Sequence, residues 1–129
     1  MVDYSQYKLS GQGTVNMPAK TYNDFFFEVS DSLVALEEEY GYQTGITVNE
    51  PSVKTNDRLY ATAWTSLLAS IISKVELLAS HQGYQIDQSH WSAVVSLSTT
   101  KQSGSTITVS EWNQMVDELQ YTITGIMDN

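Results

Sequence analysis

Apolar side chains recur at helical spacing in three long stretches of the chain. Counted from Tyr22, Trp64 and Trp112, each stretch is apolar at the starting residue and three, four, seven, eleven and fourteen residues later. This spacing places the apolar side chains along one face of an amphipathic helix. The pattern predicts helices over residues 18–40, 60–82 and 108–127.

The three stretches are predicted to be copies of one repeat unit. An apolar residue lies five positions before each starting residue, and the first two copies end in the related sequences YGYQ (residues 40–43) and QGYQ (residues 82–85). A glycine at that point is typical of a helix C-cap, because glycine adopts a left-handed backbone without strain. Self-similarity of this kind indicates repeat units at about residues 17–43, 59–85 and 107–129.

Local sequence also indicates where the helices begin and what fills the core. Thr108 followed by Glu111 fits a capping box, in which each residue bonds the backbone amide of the other. Pro18 suits the first turn of a helix, where its missing N–H is not needed. The large aromatic residues from which each apolar stripe is counted, Tyr22, Trp64 and Trp112, are predicted core anchors.

The predicted fold class is mainly α: three amphipathic helices in a small bundle of repeated helix units, with extended or β-hairpin-like connectors. Residues 45–57 have an alternating pattern that favours an extended connector. Residues 94–107 are rich in Ser, Thr and Val and are a candidate hairpin or long arm, and residues 85–95 are a candidate truncated helical turn. We expect an N-terminal arm over residues 1–13 and a single helical domain over residues 14–129.

Composition narrows the classes of function. The length of 129 residues suits one domain. The net charge of −9 and the scattering of only 6 basic residues argue against direct nucleic-acid binding and against attraction to an anionic membrane. The most apolar stretch, residues 67–78, is too short and too polar for membrane insertion, and the N-terminus does not resemble a secretory signal. Without cysteines, the chain has no disulfide framework and no thiolate metal site.

The sequence contains no recognised motif of reactive side chains, so we predict no catalytic, cofactor-binding or metal-binding residue. His81, Asp87 and His90 have no standard metal-site spacing, so helix capping and surface hydrogen bonding are the simpler roles. The carboxylate run at residues 37–39 is predicted to be a solvated helix face, with cover by a cationic partner as the alternative. A small enzyme with a distributed site remains the third functional reading, with His81 and His90 as its best candidates.

Aromatic residues give the candidate interface. The tyrosines, Tyr121 included, fall mostly at predicted helix ends or beyond them, where one edge of the ring meets water. Protein interfaces favour such side chains. The interface candidates are Tyr4, Tyr7, Tyr40, Tyr42, Tyr84 and Trp91. The N-terminal arm, which carries the first two, is expected to be either frayed or docked onto a neighbouring molecule.

Three stretches carry a family resemblance: TNDRLYATAW at residues 55–64, HQGY at residues 81–84 and GSTITVSEWN at residues 104–113. They resemble small helical repeat modules in structural proteins of tailed bacteriophages, especially phages of cyanobacteria and other marine bacteria. The resemblance covers about residues 13–127. The first copy departs from it, because Pro18 and Tyr22 replace the Thr and Trp of the pattern.

The resemblance implies a non-enzymatic virion subunit of the tail, neck, fibre or head surface, without cofactors. Such a subunit is assembled in the host cytoplasm and binds copies of itself and other virion proteins. The alternative from a different class is an acidic monomeric adaptor that binds one partner through its charged helix face.

Overall fold

Four helices make up most of the molecule. A computed structural model describes residues 2–11, 19–48, 61–100 and 108–129, with the side chains of 2–11, 21–48, 66–98 and 108–129. After a short 3-10 turn at Ser5–Tyr7 come the four α-helices, namely α1 (Ala19–Tyr40), α2 (Ala61–Gln82), α3 (Gln88–Thr100) and α4 (Val109–Asp128). Within the described residues there is no β-strand. Helices α1, α2 and α4 are the three predicted from the sequence, within one residue or two at each end.

The three predicted helices run parallel to one another. The Trp112 ring near the start of α4 lies 5.3 Å from the Phe25 ring near the start of α1. The Tyr40 hydroxyl at the end of α1 donates to the Ile126 carbonyl near the end of α4 (3.1 Å). Asn129 donates from its side-chain amide to the Gln82 carbonyl, so α2 ends at the same side of the bundle.

Part of the segment predicted to connect the second and third repeat helices is itself a helix, α3. Residues 94–100, expected in a hairpin or arm, belong to this helix, so a β-hairpin over residues 94–107 is wrong; residues 101–107 lie outside the described part. The chain turns back after α2, and the Trp91 indole donates to Glu76 (3.2 Å), so α3 is antiparallel to its neighbours. Trp91, Val94 and Leu97 are buried on one face. The many Ser, Thr and Val residues obscured this helical period, and tertiary packing overrode their weak local preference.

The core contains the predicted apolar stripe of each parallel helix. Every stripe position whose side chain is described is buried, from Tyr22 to Leu36 on α1, from Leu67 to Leu78 on α2, and from Trp112 to Ile126 on α4. The Trp64 side chain lies outside the described residues. Rings cluster at one end of the core, where Phe26 and Trp112 contact edge to face. Such contacts add to the free energy of apolar burial.

Helix ends follow the predicted local chemistry. Gly41 and Gly83 have φ of 62° and 71°. After each glycine the next amide bonds back five residues, from Tyr42 to the Glu37 carbonyl and from Tyr84 to the Ala79 carbonyl. These bonds form Schellman motifs, which confirm the two predicted C-caps. The capping box of Thr108 and Glu111 is also confirmed.

The N-terminal arm packs on its own chain, in the groove between α1 and α4. Tyr4 is completely buried: its ring contacts Phe25 edge to face and its hydroxyl donates to Ser32. Leu9 exchanges two backbone hydrogen bonds with the Asn113 side chain. The described part of the predicted arm, as far as residue 11, therefore packs against its own chain, where Tyr4 and the backbone groups of Tyr4 and Leu9 find hydrogen-bond partners.

Candidate binding pocket on the last helix

The start of α3 presents a carboxylate toward α4. Asp87 precedes the first residue of α3, and its Oδ1 accepts from the Ser89 amide (3.0 Å) and hydroxyl (2.6 Å). This is N-cap geometry. The same bonds, first that of the hydroxyl and then that of the amide, lower the pKa of Asp87. The other oxygen, Oδ2, accepts from the Tyr121 hydroxyl (3.4 Å).

The His90 side chain lies between α3 and α4, where it stacks on one ring and is within hydrogen-bond distance of a carboxylate. Its ring is parallel to the Tyr121 ring, with centroids 3.9 Å apart. Its Nδ1 lies 2.7 Å from Glu118 Oε2, and its Nε2 lies 3.9 Å from Asp87. Within the described part of the chain, no group of three or more His, Cys, Asp or Glu could hold a metal ion. The contacts of His90 therefore link α3 to α4, and its ring covers one face of the Tyr121 ring.

Beside this cluster, α4 lines an open pocket of about 440 Å³. We call it the α4 pocket; its lining residues are Tyr84, Asp117, Gln120, Tyr121, Thr124 and Gly125. Tyr84 packs against Gly125 so closely that a Cβ at that glycine would lie 2.7 Å from the Tyr84 Cζ. Because Gly125 has no side chain, it leaves room beside α4 for the Tyr84 ring. The volume is in the range of small-ligand and side-chain sites.

Some polar groups of the α4 pocket have hydrogen-bond partners among the described residues, and one does not. Gln120 Oε1 accepts from the Tyr4 amide (2.7 Å), and Asp117 Oδ2 pairs with Lys8 (3.1 Å) at the surface. Among the described residues, Thr124 Oγ1 is buried and has no hydrogen-bond partner. Native structures rarely leave such an atom unpaired, so this hydroxyl is a feature that needs an explanation.

A second polar group lies at the α1–α2 contact, where the sequence predicted a solvated face, with cover by a cationic partner as the alternative. Glu37 is buried, unlike Glu38 and Glu39, and its Oε1 pairs with Lys74 Nζ (2.9 Å). Glu37 Oε2 accepts from both the amide and the hydroxyl of Thr44 (2.9 Å each). The prediction failed at Glu37 because helix packing supplies a lysine that is 37 positions away in sequence.

These contacts determine the protonation of Glu37. Burial raises the pKa of its carboxyl, but the Thr44 amide, the Thr44 hydroxyl and the Lys74 charge together outweigh that effect and leave the pKa below its ordinary value. The carboxylate is thus held charged. Its partners are already engaged, so the pair has the character of a structural contact between helices.

The predicted site residues fall into three groups. The core anchors Tyr22 and Trp112 are buried, and the side chain of Trp64 lies outside the described residues. Tyr4 and Trp91 are also completely buried, and their rings fill the chain's own core. The structure therefore corrects the prediction that these two residues are available to an interface. The remaining candidates are partly buried, namely Tyr7, Tyr40, Tyr42 and Tyr84.

Only Tyr84 among those candidates lines the α4 pocket. Tyr42 stacks on His81 at the end of α2, with ring centroids 4.1 Å apart. The missed residues of the pocket lie on α4 at Asp117, Gln120, Tyr121 and Thr124. Their spacing of three or four residues marks one polar face of the helix, and a tyrosine within that face was the available signal.

No known family model matches this sequence, and neither curated proteins nor solved structures show a significant similarity to it. The phage resemblance therefore rests on the three short stretches that carry it. None of the helices in the described ranges has the length and apolar character needed to cross a lipid bilayer.

Proposed function

We propose that this chain is a non-enzymatic structural subunit of a tailed-phage virion, which binds neighbouring protein molecules through the α4 pocket. The resemblance of the three sequence stretches supports the virion assignment. The pocket supports the binding role. The proposal includes self-association and contacts with other virion proteins, and assembly in the host cytoplasm.

The observation that carries the binding role is the exposure of Tyr121 beside the pocket. Its side chain is 45% exposed although it is large and aromatic, while the described rings of the core are buried. Tyrosine is enriched at protein interfaces and among the residues that contribute most of the binding free energy. His90 stacks on one face of the Tyr121 ring.

The second candidate is an acidic monomeric adaptor. The described apolar stripes are all buried within one chain, so the core does not require a second copy. The net charge of −9 favours a basic partner. In this reading the chain stays monomeric and its partner binding weakens steeply as salt rises.

The mass in solution, measured by light scattering across a concentration series, distinguishes the virion subunit from the monomeric adaptor. We expect the full chain to form a discrete oligomer that Tyr121→Ala weakens, with Phe27→Ala as the matched control because Phe27 is similarly exposed (41%) on α1. A strict monomer at high concentration, together with absence of the chain's peptides from purified virions, would rule out the virion subunit. If Phe27→Ala weakened the oligomer as much as Tyr121→Ala does, the α4 pocket would not be the binding surface.

A further inference from the structure

We propose that the α4 pocket receives an arginine side chain of a partner protein. This inference rests on the proposed binding role of the pocket. It does not depend on the virion assignment, because an adaptor could use the same contact. Three properties of the pocket support arginine: its charge, its exposed aromatic ring and its carboxylate acceptor.

The charge around the pocket is negative. Asp117 lines it, and Asp87 and Glu118 lie next to it on the Tyr121 side. Among the described residues near the pocket, Lys8 already pairs with Asp117, and His90 already bonds Glu118. The charge of Asp87 raises the pKa of the Tyr121 hydroxyl, which is a sign of the same negative field. A cation is the complementary occupant.

The ring geometry favours a flat cation. His90 covers one face of Tyr121, while the residue as a whole is 45% exposed and lines the α4 pocket. Tyr84 lines the same pocket and is held close to Gly125. A guanidinium group stacks on aromatic faces and is less strongly hydrated than an ammonium group.

A carboxylate of the pocket matches the donors of a guanidinium. Asp117 binds Lys8 through Oδ2, and no hydrogen bond to its Oδ1 is seen in the described part of the chain. Arginine presents five N–H donors in a fixed plane and can reach a carboxylate oxygen while its flat face lies on a ring.

The test is an NMR titration of the ¹⁵N-labelled full chain with three probes: Nα-acetyl-arginine amide, Nα-acetyl-citrulline amide and Nα-acetyl-lysine amide. Citrulline has nearly the shape of arginine without its charge. We expect saturable shifts of the Gly125 and Tyr121 amides with the arginine probe, with a Kd on the order of 10 mM for so small a ligand. Citrulline should give no saturable shift, and lysine should bind at least about fivefold more weakly.

Variants connect the shifts to the proposed contacts. Tyr121→Leu and Asp117→Asn should each weaken arginine binding by about fivefold or more. Phe27→Leu on α1 should have no effect. Asp117→Asn should leave the melting temperature nearly unchanged, because its side chain is exposed and its pair with Lys8 lies at the surface, so its binding loss is not a folding defect.

Three outcomes overturn the inference: no saturation by the arginine probe, equal binding of citrulline, or equal binding of lysine. They leave the proposed binding role open to the separate light-scattering test, in which Tyr121→Ala is the informative variant. Conversely, an arginine-specific shift in a chain that stays monomeric supports the pocket and counts against self-association.

Discussion

Lys74 Nζ lies 2.9 Å from Glu37 Oε1, and both side chains are only 6% exposed. The pair joins α1 to α2, and Glu37 also holds Thr44 on the segment that follows α1. Charges removed from water in this way contribute little as an intact pair but are costly when one partner is lost. The pair therefore makes the α1–α2 contact sensitive to single substitutions.

Removing the lysine alone should destabilise the fold strongly. We expect Lys74→Met to lower the free energy of unfolding by about 3–5 kcal/mol, because Glu37 is then left as an uncompensated buried charge. Urea denaturation measures the change. The double variant Lys74→Met/Glu37→Gln should recover part of the loss. Lys8→Met, which breaks an exposed pair, is the control and should remain within about 1 kcal/mol of wild type.

Glu37 should also contribute to acid sensitivity. Its folded pKa lies below the ordinary value of 4.5, so the folded state favours the carboxylate. The corresponding stabilisation is complete above about pH 4.5 and is lost as the pH falls through the folded pKa. The unfolding free energies of wild type and Glu37→Gln, measured from pH 7 downward, should converge in the acid range. A constant difference down to the acid limit would contradict the assignment.

Gly125 and Tyr84 should be energetically coupled. Gly125→Ala places a methyl group against the Tyr84 ring, which opposes the usual gain of about 1 kcal/mol for alanine over glycine in a helix. In the Tyr84→Ala background the same substitution should give that gain. A double-mutant cycle should therefore show a coupling of about 1–2 kcal/mol. Additive effects would mean that Tyr84 does not lie over Gly125 in solution.

The capping box should stabilise the start of α4. Thr108 Oγ1 accepts from the Glu111 amide (3.1 Å), and Glu111 Oε1 accepts from the Thr108 amide (3.0 Å). We expect Thr108→Ala to cost about 1 kcal/mol in thermal or urea unfolding. Ser110→Ala, at an exposed neighbouring position, is the control and should be neutral or slightly stabilising.

Trp112 should be among the most costly residues to truncate. Its ring is completely buried and its indole donates to the Tyr7 carbonyl (2.8 Å), which ties the N-terminal arm to α4. We expect Trp112→Ala to cost about 3–5 kcal/mol and to expose the arm to limited proteolysis. An unchanged melt and an arm that stays protected would show that this core is misassigned.

The sequence alone determined the three long helices and their buried faces. Their apolar period is unbroken, and their ends carry local signals such as Gly41, Gly83 and the Thr108 capping box. Hydrogen bonds and side-chain packing within one helix act over a few residues, so a short window of sequence contains the relevant physics. The same local signals were too weak for α3, whose Ser, Thr and Val residues also suit a strand.

The tertiary structure alone decided the partners across the chain. Lys74 neutralises Glu37, Tyr84 meets Gly125, and the buried Tyr4 closes the groove between α1 and α4. Each contact joins residues far apart in sequence, and its energy depends on burial that no local pattern specifies. The α4 pocket arises in the same way, because helix packing brings a loop tyrosine onto one polar face of α4 and leaves Thr124 without a partner among the described residues.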